Sequence, residues 1–277
     1  MREFHGEIPH HGANGVIGVT TDISTDQGVP ILMPDRRVVL ILQARMGSTR
    51  LPGKSMMDCA GAPLVGRIVE RLKRCRQLHE IVLATTCKEE DKVLCDLAHT
   101  YQVACFQGSE NDLVDRYYQA ALWQHADVVV RLPADNPVPE PSEIDRIVAF
   151  HLQGEFHFSS NLAQVFGNGY PDGIGAEVFD FSSLEMIWKD RADEKKREHL
   201  HLNFFDYGTQ TPVNPERFRV GTVPCPLEFR RPDLVLDVNT LEQYQFMSAL
   251  YQALYPVNAN FHITDIIRWY DTRYKKR

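Results

Sequence analysis

The 277-residue chain has 43% hydrophobic and 24% charged residues, the balance of a globular protein and not of a disordered one. Its 30 Lys and Arg stand against 37 Asp and Glu, and the net charge of −7 excludes wholesale, sequence-independent nucleic-acid binding while leaving room for one basic pocket. The longest aliphatic run, at 38–42, falls far short of the ~20 residues a membrane helix needs, so no membrane insertion is expected.

At ~150 residues per domain the length fits two domains or one large α/β unit. Residues 1–36 carry Gly6, Gly12, Gly15, Gly18 and Gly28 without a sustained period of 2 or 3.6, and read as a poorly ordered extension. The pair His10-His11 within them reads as surface histidines. From residue 37 to 277 the chain reads as one folded domain.

The continuous apolar run at 38–43 predicts a strand buried on both faces. Pro63 opens a helix with Leu64, Val65, Ile68, Val69 and Leu72 inward, and Arg67, Glu70, Arg71, Lys73 and Arg74 on the other side. A strand at 80–86 follows, then a helix at 89–99 with Val93, Leu94 and Leu97 inward. Residues 102–106 predict a third strand, and Ser109, Glu110, Asn111 and Asp112 cap a helix running to His125. A fourth strand at 127–132 leads to a helix capped by Ser142 that carries Ile144, Ile147, Val148 and Phe150.

After about residue 155 short strands (156–161, 176–181, 218–224) alternate with helices at 183–192 and 194–205. The stretch 155–230 reads as an insertion or subdomain, returning to the sheet at 234–238. Thr240 and Gln243 form a capping box for the next helix, and a last helix is expected at 264–273. Trp123, Trp188 and Trp269 fall in helical patterns and read as core. None of the six cysteines forms a C-x-x-C motif, and they read as reduced thiols packed as small hydrophobes. With no leader pattern at the start, a reduced, cytoplasmic protein is expected.

Strands alternating with helices predict an α/β fold with a largely parallel sheet covered on both faces. Ligands of such sheets sit beyond the carboxyl ends of the strands. The segment Gln43, Ala44, Arg45, Met46, Gly47, Ser48, Thr49, Arg50, Leu51, Pro52, Gly53 and Lys54 leaves the first strand there. Two glycines, two hydroxyls and three cations suit a phosphate, with freed backbone amides and positive charge around it. It is not a Walker loop: five residues separate Gly47 from Gly53 where four are required, and the helix starts only at Pro63.

These residues resemble the sugar-acid cytidylyltransferases, which make CMP-activated Kdo and sialic acids, and most nearly their spore-coat polysaccharide branch. The likeness runs from Val38 to the C-terminus in ordered blocks. They are 43–54, 81–86, 108–112 with Arg116 and Tyr117, 131–137, Pro171-Asp172-Gly173 with Glu177, and Arg197-Glu198-His199. The resemblance implies a Rossmann-like, three-layer nucleotidyltransferase fold and transfer of CMP from CTP to a sugar-like acceptor. It further implies Mg²⁺ as cofactor, a role in surface polysaccharide synthesis and a homodimer. The nucleotide would be held by Gln43, Ala44, Arg45, Gly47, Ser48, Thr49, Arg50, Lys54, Thr85, Ser109, Asp112 and Arg116, with Lys54, Arg45 and Asp135 catalytic. Asp135 and Asp237 would ligate the metal, and Asp172, Glu177, Arg197, Glu198 and His199 would bind the acceptor.

Two positions depart from that pattern. Asn239 stands where the family has a second carboxylate, so a neutral oxygen ligand replaces it. Pro133 stands where the spore-coat branch has a small hydroxyl residue. Another nucleotide, a phosphorylated non-sugar acceptor, or a nucleotide-binding protein that has lost catalysis are the alternatives. His199 and His201 form an HxH pair suited to zinc on a strand, but the helical pattern at 194–205 turns them apart.

Overall fold

The computed structural model describes residues 36–162, 165–190 and 194–274. The extension read at 1–36, Arg36 apart, and its His10-His11 pair lie outside the described residues.

The first strand, β1 (Val38–Gln43), is buried along nearly its whole length. Its side chains divide by the two-residue period: Val38, Leu40 and Leu42 enter one core, Val39 and Ile41 the other. It runs parallel to β2 (Glu80–Thr86) on one side and to β4 (Val128–Pro133) on the other. Beyond β2 lies β3 (Ala104–Gly108), also parallel. Beyond β4 come β6 (Glu177–Asp180), antiparallel to β4, then β5 (Phe158–Ser160), antiparallel to β6, and then β9 (Val220–Gly221), parallel to β5. The order β3-β2-β1-β4-β6-β5-β9 makes one mostly parallel, mixed sheet.

The helices are α1 (Leu64–Leu72), α2 (Lys92–Thr100), α3 (Leu113–Trp123), α4 (Pro141–Gln153), α5 (Phe181–Asp190), α6 (Glu194–Glu198), α7 (Leu241–Leu254) and α8 (Ile263–Trp269). The core on one face of the sheet draws on α1, α2, α4, α7 and α8, and that on the other face on α3 and α5. The architecture is therefore three-layered, as expected. Among the described residues no helix is long and apolar enough to cross a membrane.

Several expectations are corrected. Arg67 and Arg71, assigned to the outer side of α1, are 5% and 3% exposed, because the C-terminal residues Phe261 and Tyr255 lie over them. Ser142 is not the cap of α4: that position is Glu140, and Pro141 opens the helix. The helix expected at 194–205 stops at Glu198 and gives way to a 3-10 turn at Leu200–Asn203. No strand forms at 234–238; Val235 makes a single bridge to Asp172. The stretch 155–230 does not stand apart as a subdomain, since β5, β6 and β9 extend the main sheet, leaving the small ribbon of β7 (Phe205–Asp206) and β8 (Thr211–Pro212) outside it. Trp123 is 51% exposed and not core. Cys95 and Cys105 are joined by a disulfide, against the expectation of six reduced thiols: α2 returns over β3 and brings their Cα atoms to 5.4 Å.

Candidate active site

The sheet order explains where the site lies. The chain moves outward from β1 to β2 and β3, then crosses to β4 on the opposite side of β1. A crevice opens at such a switch point, beyond the carboxyl ends of the two strands. Gln43 and Pro133 are register partners at those ends, and the Ala134 amide donates to the Gln43 carbonyl at 2.8 Å. The loop with the cations and the turn with Asp135 thus start side by side.

The loop is braced from within. The amides of Ala44, Met46, Ser48 and Gly53 donate to the Ala84 carbonyl, Asp91 Oδ1, and the Met46 carbonyl twice. Leu51 N donates to Ser48 Oγ at 3.3 Å. These amides are taken up internally and brace the loop. Gly53 has φ +73, a left-handed conformation that turns the chain into the 3-10 turn at Lys54–Met56.

Lys54 Nζ donates to the Val238 carbonyl at 2.7 Å and to Asn239 Oδ1 at 3.3 Å, and lies 3.9 Å from Asp135 Oδ2. Burial holds the Lys54 ammonium below its ordinary pKa, partly offset by the Asp135 charge. Arg50 Nη2 also donates to Asn239 Oδ1, at 2.8 Å. Val238 in turn donates its amide to the Asp135 carbonyl at 2.7 Å. Loop, turn and the segment before α7 therefore close on one another.

Asp135, Asp237 and Asp172 form an acidic group opposite these cations. Burial, and then the charges of Asp237 and Asp135, push the Asp172 carboxyl up to about 6. Burial and the Asp135 charge likewise raise Asp237. Carboxylates raised by burial and by a neighbouring negative charge mark unbalanced charge, and their hard oxygen donors suit Mg²⁺ shared with phosphates. Asp135 and Asp237 are the carboxylates that would meet such an ion, although the two Asp237 oxygens also accept from Asn239 Nδ2 and, at 2.9 Å, Gln243 Nε2. Asn239 would not: its amide donates to Asp237 Oδ2, and its Oδ1 already accepts from both Arg50 and Lys54, so the expected ligand is instead a bridge between cations and carboxylate.

Beside this group a cleft of about 680 Å³ is lined by Gln43, Arg45, Asp112, Arg116, Asp135, Arg197, Glu198 and His199. Eight of the expected site residues thus share one cavity. Asp112 caps α3 by accepting from Asp115 N at 2.9 Å, and its other oxygen receives Arg197 Nε at 2.6 Å. Ser109 Oγ supports that turn from below, accepting from Asp112 N at 3.1 Å. Arg116 is 3% exposed, yet its Nε and Nη1 have no partner among the described residues, and its burial lowers its pKa. A buried, unsatisfied guanidinium at a cleft wall is a site for an anionic or carbonyl oxygen.

Some expected residues lie elsewhere. Thr85 is fully buried in β2 and does not line the cleft, since strand residues there face the core. Glu177 is also fully buried and pairs with Arg131 Nη1 at 2.6 Å, so it cannot meet an acceptor directly. Gly47, Ser48 and Thr49 stand on the outer part of the loop. His199 and His201 have ring centroids 6.1 Å apart; among the described residues no group of three or more His, Cys, Asp or Glu is placed to hold a metal. Arg131 was missed. Its Nε is unpartnered among the described residues and the residue lines the cleft, and a charge inside the apolar strand 128–133 is the available signal. Tyr117 has a role the sequence does not show: its hydroxyl donates to the Ile41 carbonyl at 3.2 Å and reaches Gln43 Oε1 at 3.4 Å, which orients the Gln43 amide.

A crevice at the switch point of a mostly parallel sheet, with cations facing carboxylates, defines a nucleotidyltransferase. Residues 39–253 match the family model described as Cytidylyltransferase, and the chain belongs to that family. It is 30% identical over 220 residues to the spore coat polysaccharide biosynthesis protein SpsF of Bacillus subtilis, covering 78% of this chain and 86% of that protein. An uncharacterized protein of Methanocaldococcus jannaschii is 30% identical over 235 residues, covering 85% and 90%. A solved cytidylyltransferase from Leptospira borgpetersenii superposes with a TM-score of 0.75 at 28% identity, over 85% of this chain and 94% of that one. The CMP:2-keto-3-deoxy-manno-octonic acid synthetase solved with CTP, at 15% identity and TM-score 0.56, over 78% of this chain and 98% of that one, shares the fold.

Proposed function

We propose that this cytidylyltransferase transfers CMP from CTP to a hydroxyl or phosphate oxygen of a sugar or sugar-acid acceptor, releasing pyrophosphate, in surface polysaccharide synthesis. The observation that carries the reading is the meeting of Lys54 with Asp135 at 3.9 Å, cations on one wall and carboxylates on the other. The SpsF relative, whose name places it in spore coat polysaccharide synthesis, supports the pathway class.

Phosphoryl transfer of this kind depends on positioning and on stabilising spread negative charge. Arg45, Arg50 and Lys54 hold the triphosphate, and Lys54 meets the charge developing on the α-phosphoryl oxygens. Arg116 offers two free donors to the nucleotide end of the cleft. Arg197, Glu198 and His199 face the acceptor, while Asp172 stands at the acidic edge. Asp135 and Asp237 would hold Mg²⁺, which when bound neutralises the phosphates and screens the carboxylates from them. A homodimer in the cytoplasm is the assembly and place this reading carries.

Pyrophosphate release is measured with each of the four nucleoside triphosphates, Mg²⁺ and a panel of keto-sugar acids and sugar phosphates. Turnover with CTP alone, dependent on acceptor and Mg²⁺, is expected. Turnover with a different triphosphate would overturn the base assignment, and CTP binding without turnover across the panel would favour a catalytically impaired homologue.

A further inference from the structure

Arg45 stands exposed on the wall of the catalytic cleft, so the backbone on either side of it sets where its Cα–Cβ bond points. That backbone is held on each side. Before Arg45, the Ala44 amide donates to the Ala84 carbonyl of β2 at 3.1 Å. After it, the peptide unit shared by Arg45 and Met46 is gripped at both ends. Ser55 Oγ donates to the Arg45 carbonyl at 3.4 Å, and the Met46 amide donates to Asp91 Oδ1 at 2.7 Å. The Met46 carbonyl then accepts the amides of Ser48 at 2.8 Å and Gly53 at 3.0 Å. Met46 is thus the hub on which the loop closes, and Asp91 fixes that hub from outside the loop.

Asp91 is 1% exposed and ends the 3-10 turn Glu89–Asp91 just before α2. An aspartate at a helix start ordinarily accepts from the helix's own free amides. Here the carboxylate makes no such bond. Oδ1 takes the Met46 amide, and Oδ2 takes the hydroxyl of Thr86, which is itself 1% exposed. Thr86 Oγ1 accepts from the Lys88 amide at 3.2 Å, which leaves its own proton for Asp91. The hydroxyl therefore orients the carboxylate, and the carboxylate orients the loop. A hydrogen bond from a backbone amide to a carboxylate is shorter and stronger than a neutral one, and burial keeps water from competing for it.

We propose that Asp91 is a positioning residue for nucleotidyl transfer, which aims Arg45 at the triphosphate through the Met46 amide. It rests on the reading of Arg45 as a triphosphate ligand. Asp91 itself does not line the cleft, so it acts on the substrate only through the loop. The leverage is large, because a displacement of about 1 Å at a reacting site can cost on the order of 10² in rate.

The test is a double-mutant cycle read by calorimetry. Affinities of the intact chain for each of the four nucleoside triphosphates with Mg²⁺ are measured in wild type, Asp91→Ala, Arg45→Ala and the double variant. Asp91→Ala is expected to weaken CTP about tenfold in the wild-type background and less than about twofold once Arg45 is gone, since residues acting through one another are not additive. An equal loss in both backgrounds, or none in either, would overturn the proposal. Two further variants separate reach from charge and decide the matter if Asp91→Ala does not fold. Asp91→Asn keeps an oxygen for the Met46 amide and should recover affinity to within about threefold of wild type, whereas Asp91→Glu keeps the charge on a longer stem and should bind as weakly as Asp91→Ala. The reverse order would overturn the positioning role. Should wild type bind a different triphosphate, the base assignment falls, and the same cycle run with that triphosphate decides for Asp91 as above. A wild type that binds none of the four overturns both readings.

Discussion

Lys54 Nζ stands 3.9 Å from Asp135 Oδ2, although one residue follows β1 and the other follows β4. Parallel neighbours place their carboxyl ends together, so two loops remote in sequence leave the sheet at one point. The Val238 carbonyl, which accepts from Lys54 at 2.7 Å, adds a third segment to the contact.

Replacing Lys54 by Ala removes the cation nearest the carboxylates. The rate of pyrophosphate release is expected to fall by about 10²–10³, the usual loss for one stabiliser of developing charge. KM for CTP should change far less than kcat. Steady-state kinetics with CTP in excess separates the two, and an unaltered kcat would remove Lys54 from the reaction.

Asn239→Asp restores a second carboxylate beside Asp237. In the absence of metal the new charge faces Asp237, which already sits above its ordinary pKa, and the folded state should lose stability. With metal present the same charge is expected to lower the half-saturating Mg²⁺ concentration by on the order of tenfold. Activity against Mg²⁺ concentration, and melting with and without chelator, read the two effects.

Asp172 sets a pH dependence. Its folded carboxyl is raised from 3.8 to about 6, by burial first and then by Asp237 and Asp135. A raised pKa means that the folded state holds the proton more firmly than the unfolded one. Its contribution to stability is thus present below 3.8 and lost as pH rises to about 6. In chelator the wild type should lose melting temperature over that window, and Asp172→Asn should lose less. Equal slopes for the two proteins would contradict the assignment.

Glu177→Ala strands Arg131, a buried cation whose salt bridge measures 2.6 Å. Breaking a buried pair from one side is expected to cost about 3–5 kcal/mol. Denaturant unfolding measures it. Glu177→Gln keeps one hydrogen-bonding oxygen toward Arg131 and should lie between the two.

The strand at 38–43, the helix stripe of Leu64, Val65, Ile68, Val69 and Leu72, and the Thr240–Gln243 capping box were all legible from local pattern. Each depends on periodicity or on contacts a few residues apart. The misread elements depend on distant partners. Arg67 and Arg71 looked like a solvated face until Tyr255 and Phe261 covered them. Val235 was expected in the sheet, but Arg231 and Asp233 before it pair with each other, and only a bridge to Asp172 forms. Cys95 and Cys105 carry no motif that announces a bond.

By itself the sequence determined the α/β alternation, the position of the cation-rich loop at the end of the first strand, and the family to which both point. The first two follow from side-chain period and from residue types that neighbouring backbone can place, and the family from the resemblance of its ordered blocks. Only the tertiary structure decided that Asn239 bridges Arg50, Lys54 and Asp237, and that Glu177 neutralises Arg131 beneath the cleft. A charged side chain takes its partner from whatever the packed sheet and helices bring within a few ångströms, and no local pattern records that distance.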